Sequence, residues 1–503
     1  MHSFARRSSN IALALCALLT ALSSAPLAAQ SHDPIEGRWW GKSGSALDRI
    51  DVGFEFKHDS AGDLRAYLYQ PTLNFYGWML PGVVHRTDST YEVPEYMLKL
   101  TMHEGSLEGT YHSLKAPITL ARAKTLPHEV PIPALPTGPG PKWRVKLGAP
   151  IYASAAIVDG IAYVGTTGGV LFAIDIANGK TRWTFAPGRP IYAQATATDS
   201  AVYLSCENGY LYKLDRATGK ELWHYDLGDE RTSRITPYDP AIDPRFEFNS
   251  EFDYFDYRAS RPILADDVIY VGAGDGGLHA IDAQTGARKW RFQAKRAIRG
   301  DVLIDGDRIV FGSWGGILYA VDRATGNELW KRETYGVINN TPASIDGKII
   351  VGNRGGLLVA FDPATGKTIW RMNFWGSSVE SDAVGADTLF YIGSSDLRRV
   401  TLVDARDSRV IWRSDVFGWA WNRVALTEHR LYLGVSGATP YQMRHKGSLV
   451  ALDRTTGKIA WRWPMPEWPG GWLNGFIASP EIEGKMLVIG GVDGSLYGFP
   501  IER

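Results

Sequence analysis

The nine residues Asp322-Arg323-Ala324-Thr325-Gly326-Asn327-Glu328-Leu329-Trp330 decide the fold of this chain. An aspartate is followed eight residues later by a tryptophan, and in most copies a Thr-Gly pair lies between them. The spacing occurs seven times, at Asp175–Trp183, Asp215–Trp223, Asp282–Trp290, Asp322–Trp330, Asp362–Trp370, Asp404–Trp412 and Asp453–Trp461. Successive tryptophans are 40, 67, 40, 40, 42 and 49 residues apart. A period near 40 with short apolar runs is typical of repeat architectures.

Each repeat is predicted to contribute four antiparallel strands. In the fourth repeat the pattern predicts strands at residues 301–304, 308–312, 317–321 and 328–331. The glycine of the turn supplies a positive φ, and the tryptophan is expected to pack between neighbouring blades while its N–H finds a carbonyl. The first tryptophan, Trp143, has no repeat before it, and the last repeat has no tryptophan strand. Trp143 is therefore predicted to complete the last blade, which closes an all-β ring of eight blades.

The segments before the ring differ in texture. Residues 1–29 contain Arg6-Arg7, a short apolar run and a small-residue stretch ending at Ala29, the pattern of a cleaved export signal. Residues 30–124 alternate apolar and polar side chains, which predicts a small antiparallel β domain, closed or nearly so. Residues 125–141 contain six prolines and are predicted to be an extended linker to the ring of residues 142–503.

Charge and cysteine content restrict the function. The chain has 54 basic and 54 acidic side chains, which gives no support for nucleic-acid binding. No apolar run is long enough for a convincing transmembrane helix. Once the signal containing Cys16 is removed, Cys206 is alone, so no intramolecular disulfide is expected and Cys206 is interpreted as a buried strand thiol. The chain is predicted to be periplasmic or secreted.

The aspartate-turn-tryptophan pattern resembles the tryptophan-docking repeat of the pyrroloquinoline-quinone (PQQ) propeller superfamily. Gly37-Arg38-Trp39 and Gly109-Thr110-Tyr111 similarly resemble the lipocalin-like accessory domain of exported bacterial proteins. The first resemblance covers residues 142–503 and implies that the repeated Asp and Trp residues are structural. Function is then expected where the repeats depart from their own pattern.

The largest departure is an insertion at residues 229–257, which accounts for the interval of 67. It is rich in acidic and aromatic residues and is predicted to fold over one face as a lid or contact arm. Smaller departures lie at residues 436–446 and 463–472, where exposed tryptophan, proline and glycine suit a binding rim.

The residues that begin the innermost strands are predicted to face the central channel. Aligned on the following turn, the sixth of these segments is taken as Val379-Glu380-Ser381. The candidate ligand-binding residues at the channel and its rim are Arg261, Arg299, Asn340, Glu380, Trp421, Asn422, Arg423, Trp472 and Asn474.

Two classes of function stay open. In calcium-dependent quinoprotein dehydrogenases of this superfamily, a Glu, an Asn and an Asp hold the metal, an Arg contacts PQQ and a Trp stacks on it. The resemblance implies Asp301, Asn340 and Glu380 as calcium ligands, Asp301 and Glu380 as catalytic residues, and Arg299 as the cofactor contact. The chain has no cysteine pair for the vicinal disulfide of many of those enzymes and no Cys-x-x-Cys-His haem motif.

The favoured interpretation is a non-catalytic propeller with no cofactor, similar to the PQQ-like repeat proteins of the bacterial envelope. It would bind or scaffold a protein, peptide or small-molecule ligand on the channel face. The alternative is a PQQ- and calcium-dependent dehydrogenase that oxidises an alcohol or sugar.

Overall fold

The structure is a computed structural model that describes residues 33–44, 49–111, 116–129, 131–228, 256–374, 377–438, 447–466 and 473–501. The chain divides into two compact units, one within residues 1–126 and one that contains residues 127–503. Nearly all regular structure in these ranges is β-strand, with two short 3₁₀ turns at Pro71–Leu73 and Pro94–Tyr96. No helix among the described residues has the length and apolar character needed to span a membrane.

The first nine strands form one antiparallel sheet, in which the first strand pairs with the ninth. Alternate side chains such as Val52, Phe54 and Leu107 are fully buried, because successive residues of a strand point to opposite faces. The sheet is a half-barrel, and its likeness to a lipocalin stays a prediction. The strands are β1 Gly37–Ser43, β2 Ile50–His58, β3 Leu64–Gln70, β4 Phe75–Met79, β5 His85–Thr87, β6 Thr90–Val93, β7 Leu98–His103, β8 Ser106–Tyr111 and β9 Ala116–Arg122.

The remaining strands form eight antiparallel blades, which confirms the predicted all-β, eight-bladed propeller. Blades one to four contain β11 Ala156–Val158, β12 Ile161–Gly165, β13 Leu171–Asp175, β14 Thr181–Phe185; β15 Thr196–Ala197, β16 Ala201–Cys206, β17 Tyr210–Asp215, β18 Glu221–Asp226; β19 Ile263–Ala265, β20 Val268–Gly272, β21 Gly277–Asp282, β22 Arg288–Gln293; and β23 Leu303–Asp305, β24 Arg308–Gly312, β25 Ile317–Asp322, β26 Glu328–Glu333.

Blades five to eight follow the same plan. They contain β27 Ala343–Ile345, β28 Lys348–Gly352, β29 Leu357–Phe361, β30 Thr368–Asn373; β31 Val384–Ala386, β32 Leu389–Gly393, β33 Arg399–Asp404, β34 Arg409–Asp415; β35 Ala425–Leu426, β36 Arg430–Ala438, β37 Ser448–Asp453, β38 Ile459–Pro464, with an added strand β39 Leu473–Gly475; and β40 Glu481–Glu483, β41 Met486–Gly490, β42 Ser495–Pro500, β10 Trp143–Lys146.

Strand β10 closes the ring as predicted. It pairs antiparallel with β42, from Trp143 opposite Gly498 to Lys146 opposite Ser495. The last blade is thereby built from both ends of the propeller sequence, and two sheet edges that would otherwise be free are paired.

Each turn glycine serves as the contact for a tryptophan of the preceding blade. A Cβ built on Gly326 would lie 2.6 Å from Trp290 Cε3, and Gly326 has a φ of +75°. The indole N–H of Trp290 donates to the carbonyl of Arg323 at 3.1 Å in the same turn. Equivalent bonds of 2.7–3.2 Å hold Trp143, Trp183, Trp330, Trp370 and Trp412. The predicted tryptophan docking between blades is confirmed.

Two tryptophans depart from this arrangement. The indole nitrogen of Trp223 has no hydrogen-bond partner among the described residues, and Lys213 Nζ donates to the Ala283 carbonyl at 2.8 Å instead. Trp461 faces blade eight, whose outer strand is β10 and which therefore has no Asp-to-Trp turn of its own. Gly138, just before β10, packs on its ring in place of a turn glycine.

The turn aspartate stabilises the loop that carries this glycine. Asp322 Oδ1 accepts bonds from the Thr325 N–H at 2.8 Å and the Thr325 hydroxyl at 2.7 Å. These bonds, the side-chain bond first, lower the pKa of Asp322. The same pair of bonds occurs at Asp215, Asp282, Asp362 and Asp453. The repeated aspartate is therefore a turn-forming residue.

Candidate functional site

The central channel is lined by the short segments that lead into the innermost strands. Each segment contributes two side chains that are two residues apart in sequence. Together, the eight segments form two layers of side chains around the channel. The first layer contains Tyr152, Tyr192, Ala259, Arg299, Asn339, Glu380, Trp421 and Ile477, and the second contains Ser154, Gln194, Arg261, Asp301, Thr341, Asp382, Arg423 and Ser479. Most of these side chains surround one cavity.

Hydrogen bonds between neighbouring blades show that the second layer is a continuous structural position. Asp301 Oδ1 accepts from the Arg261 backbone N–H at 2.8 Å, and Asp382 Oδ1 accepts from the Thr341 N–H at 2.9 Å. The hydroxyl of Ser479 accepts from the Arg423 N–H, and the Ser479 N–H donates to Ser154 Oγ at 2.9 Å across the closure. A side chain here can thus join two blades and face the channel.

The alignment of the sixth segment requires a correction. Val379-Glu380-Ser381 is displaced by one residue, because Glu380 and Asp382 occupy the two channel layers while Ser381 points into the blade. The Ser381 hydroxyl accepts from the Gly393 N–H at 2.6 Å. Asp382 and the neighbouring Arg258, both missed from the sequence, pair at 3.0 Å.

The ionic groups of the channel are arranged in pairs. Arg261 Nε lies 3.1 Å from Asp301, and Arg354 lies 3.3 Å from Glu380. Arg299 Nε lies 3.1 Å from Asp256, and both side chains of this third pair are almost fully buried. Buried charges are costly unless paired, so each contact compensates a charge that would otherwise be unfavourable in the channel.

A further pair joins the second layer to the innermost strand of blade eight. Arg423 binds Glu481, whose other contact is Gln194 Nε2 at 3.2 Å. Burial raises the pKa of Glu481, and Arg423 opposes this rise. Burial would also raise the pKa of Asp382, but Arg258 and the Thr341 N–H outweigh it, so that pKa is lowered. One carboxyl of the channel is therefore easier to protonate than the other.

Asn340 and Asn422 lie between the two layers and connect blades. Asn340 Nδ2 donates to the carbonyls of Val379 and Ser381, each at 3.2 Å. Asn422 Nδ2 donates to three carbonyls, of which two, those of Phe476 and Ala478, belong to the segment leading into the next blade. Both side chains are 1% exposed. Their amides act as straps between blades.

The other predicted rim residues lie elsewhere. Asn474 is in β39, where it is opposite Gly437 of β36, and its carboxamide oxygen accepts from the Gly447 N–H. Trp472 and residues 229–255 of the predicted arm lie outside the described residues. The last two residues of the arm are described. Asp256 binds Arg299, and the Tyr257 ring packs against Tyr152 at 4.7 Å between centroids.

Aromatic side chains occupy the part of the first layer that bears few charges. The rings of Tyr152 and Tyr192 are stacked 6.0 Å apart, and Trp421 lies flat against Trp419 at 4.3 Å. Arg299 and Glu380 contribute charge to the same layer. Because aromatic faces and paired charges meet around one cavity, the site suits a ligand with both an apolar and a polar part.

The residues implied as calcium ligands do not fit that role as a set. Calcium needs several oxygens around one point, whereas Asp301 binds Arg261, Glu380 binds Asn339 and Arg354, and Asn340 lies between blades. Nowhere in the described ranges do three His, Cys, Asp or Glu side chains form a group able to hold a metal ion. The cavity volume is about 80 Å³. Pockets that enclose organic ligands measure roughly 300–1,000 Å³, so this cavity is too small to enclose one.

Comparison with known proteins agrees with the fold. The sequence matches the family model described as outer membrane protein assembly factor BamB over residues 140–245, 256–374, 354–464 and 396–502. Among curated proteins no sequence matches.

Solved structures give a similar result. BamB from Moraxella catarrhalis is 19% identical, with 70% of this chain and 95% of that chain covered and a TM-score of 0.47. The computationally designed Ika8 protein is 15% identical, with 71% and 98% covered and a TM-score of 0.53. Quinohemoprotein alcohol dehydrogenase from Comamonas testosteroni is 16% identical, with 72% and 77% covered and a TM-score of 0.52. The likenesses to the Ika8 protein and to the dehydrogenase show the fold alone, and the likeness to BamB from Moraxella catarrhalis, with a TM-score below 0.5, adds nothing to it.

Proposed function

The chain belongs to the PQQ-like repeat family described as outer membrane protein assembly factor BamB, and from this premise we propose that it is an exported, non-catalytic binding or scaffolding propeller of the bacterial envelope. Its ligand, a peptide or small molecule, inserts a side chain or polar group into the channel. The export signal predicted at residues 1–29 supports this location.

The observation that carries the proposal is the contrast between two sets of positions. The docking tryptophans, turn aspartates and turn glycines recur from blade to blade and serve the ring. The first channel layer differs in nearly every blade, from Tyr192 to Arg299, Glu380 and Trp421. Closing the ring does not require different side chains at its centre. Binding a ligand that lacks eightfold symmetry does require them.

The paired charges favour binding over redox chemistry. The carboxylates that a calcium-bound quinone would need are each paired with an arginine of this chain. Opening those pairs would leave partly buried guanidinium groups uncompensated, which is unfavourable. A ligand can instead bind the outer faces of intact pairs.

The first experiment separates a binding protein from a dehydrogenase. The purified protein is mixed with micromolar PQQ and Ca²⁺, and cofactor uptake and dye-linked oxidation of alcohols and sugars are recorded. We expect neither stoichiometric uptake nor turnover. Uptake with turnover that disappears in Glu380→Ala would refute the proposal in favour of the dehydrogenase.

The second experiment locates binding. Short peptides are screened by thermal shift, and hits are measured by calorimetry with the variants Glu380→Gln and Glu328→Gln. Glu328 is an exposed glutamate of the outer strand β26 and gives a matched loss of one carboxylate. We expect weaker binding only in Glu380→Gln, and an equal effect of both variants would place the ligand outside the channel.

A further inference from the structure

A second polar groove lies on blade three, away from the channel-lining residues. It is bordered by Tyr225 to Gly228 at the end of blade two and by Asp275, His279, Arg288 and Arg291 of blade three. The groove holds about 580 Å³ and opens to solvent. Its central residue, His279, lies in β21 directly opposite Arg291 of β22.

The groove exists because blade three departs from its own repeat. Three residues before the turn aspartate, blades two and four have a tyrosine, and blade eight has Tyr497 at the equivalent position, whereas blade three has His279. Five residues before it, blade three has Gly277. The other blades have larger side chains there: Val170, Tyr210, Ile317, Leu357, Arg399, Ser448 and Ser495. The missing side chain at Gly277 leaves room for the ends of the His279 and Arg291 side chains.

His279 is buried yet keeps one polar atom unused. The side chain is 2% exposed. Its Nδ1 lies 3.1 Å from the hydroxyl of Tyr225, while Nε2 has no partner among the described residues. A buried polar atom without a partner costs about 1–3 kcal/mol and calls for an explanation. If the Tyr225 hydroxyl donates to Nδ1, the ring proton is on Nε2, and Nε2 becomes a donor.

Basic groups converge on this donor. A Cβ built on Gly277 would lie 2.6 Å from His279 Nε2 and 2.8 Å from both Nε and Nη2 of Arg291, so the two side chains meet above the glycine. Arg291 is paired with Asp275 at 2.7 Å. Asp275 and Asp226 also accept the N–H groups of Gly277 and Gly228. Arg288 makes no ion pair within the described part of the chain, so its charge is available.

We propose that this groove binds an oxyanion, a carboxylate or phosphate group of a small ligand, through His279 Nε2–H, Arg288 and the edge of Arg291. Charged donors make short, strong bonds to such groups, and the planar guanidinium matches their geometry. The ligand would supply the acceptor that His279 lacks. This site is independent of the channel, so either proposal can fail without the other.

The test uses the full chain with ¹⁵N-labelled histidine. Ring signals are recorded while sodium phosphate or sodium acetate is added at constant ionic strength and pH 7. The His279 signal is identified by its absence in His279→Tyr, a change to the residue that three other blades accommodate. We expect a saturable shift of the His279 signal and none at His224, an exposed histidine of β18 paired with Glu221.

Two variants establish where the anion binds. Gly277→Ser restores the residue of blades seven and eight and should remove the shift while the protein stays folded, because Gly277 has an ordinary φ and the nearest atoms are side-chain ends. Arg288→Gln should weaken binding about tenfold through the loss of one charged donor. Binding of phosphate alone, acetate alone or both supports the proposal and identifies the group. No saturable shift up to about 50 mM, far above a millimolar Kd, or an unchanged shift in Gly277→Ser would overturn it.

Discussion

The contact between a turn glycine and the tryptophan of the preceding blade can be measured with two alanine substitutions in one blade. Gly326 and Gly306 both have positive φ, +75° and +62°. A Cβ on Gly326 would lie 2.6 and 2.7 Å from two carbons of the Trp290 ring, whereas a Cβ on Gly306 would meet no atom within 4 Å. Both changes carry the same backbone cost, and Gly326→Ala alone disturbs the tryptophan.

The expected magnitudes follow from these distances. A left-handed φ costs an alanine about 1–2 kcal/mol, which is the whole effect expected for Gly306→Ala. In Gly326→Ala the ring must move by about 1 Å to reach normal contact. That movement adds about 1–3 kcal/mol for overpacking and about 1 kcal/mol for the Trp290–Arg323 hydrogen bond. We expect Gly326→Ala to be less stable than Gly306→Ala by about 2–4 kcal/mol.

Urea denaturation followed by tryptophan fluorescence and circular dichroism measures the difference, provided that both variants keep the m-value of the parent chain. Equal losses in the two variants would show that the glycine is needed only for its backbone conformation. In that case the contact between the glycine and the ring would contribute nothing to docking.

Three further predictions concern single side chains. Trp290→Phe should destabilise the protein by about 1 kcal/mol more than Trp223→Phe, because among the described residues the Trp290 indole N–H has an acceptor and the Trp223 indole N–H has none. Thermal unfolding of both variants gives the comparison, and a larger loss for Trp223→Phe would contradict it. Asp322→Asn should destabilise the protein at neutral pH, and the gap from the parent chain should close below about pH 4. The lowered pKa of Asp322 means that its contribution is complete above the unfolded pKa and is lost as the carboxylate is protonated; a gap independent of pH would argue against it. Burial raises the pKa of the Cys206 thiol to about 12, so in a Cys16→Ser chain a thiol reagent at pH 8 should react on unfolding with urea but hardly at all in the native protein; fast labelling of the native chain would show that the strand opens.

The ring could be predicted because its determinants are local in sequence. The Asp-x-x-Thr-Gly turn forms by hydrogen bonds within five residues, so its recurrence directly reveals the blades. The missing tryptophan strand of the last repeat and the extra one at Trp143 also revealed how the ring closes. The channel residues were harder, because the segments that carry them are irregular. In the sixth blade the alignment was shifted by one residue. Asp382 was therefore missed, and Ser381 was assigned to the channel although it points into the blade.

The all-β class, the eight blades and the residues that join them follow from the sequence alone, since each depends on short-range turn chemistry repeated at a fixed period. The roles of the polar residues at the centre of the ring became visible only in the folded protein, because their partners come from other blades. From the sequence, Asn340 could contact a ligand or connect two blades. The structure shows the second role, because its amide donates to two carbonyls of the next blade. His279 is similar. Its neighbours Tyr225 and Arg291 come from two other strands, so the unused Nε2 becomes visible only when the blades are packed together.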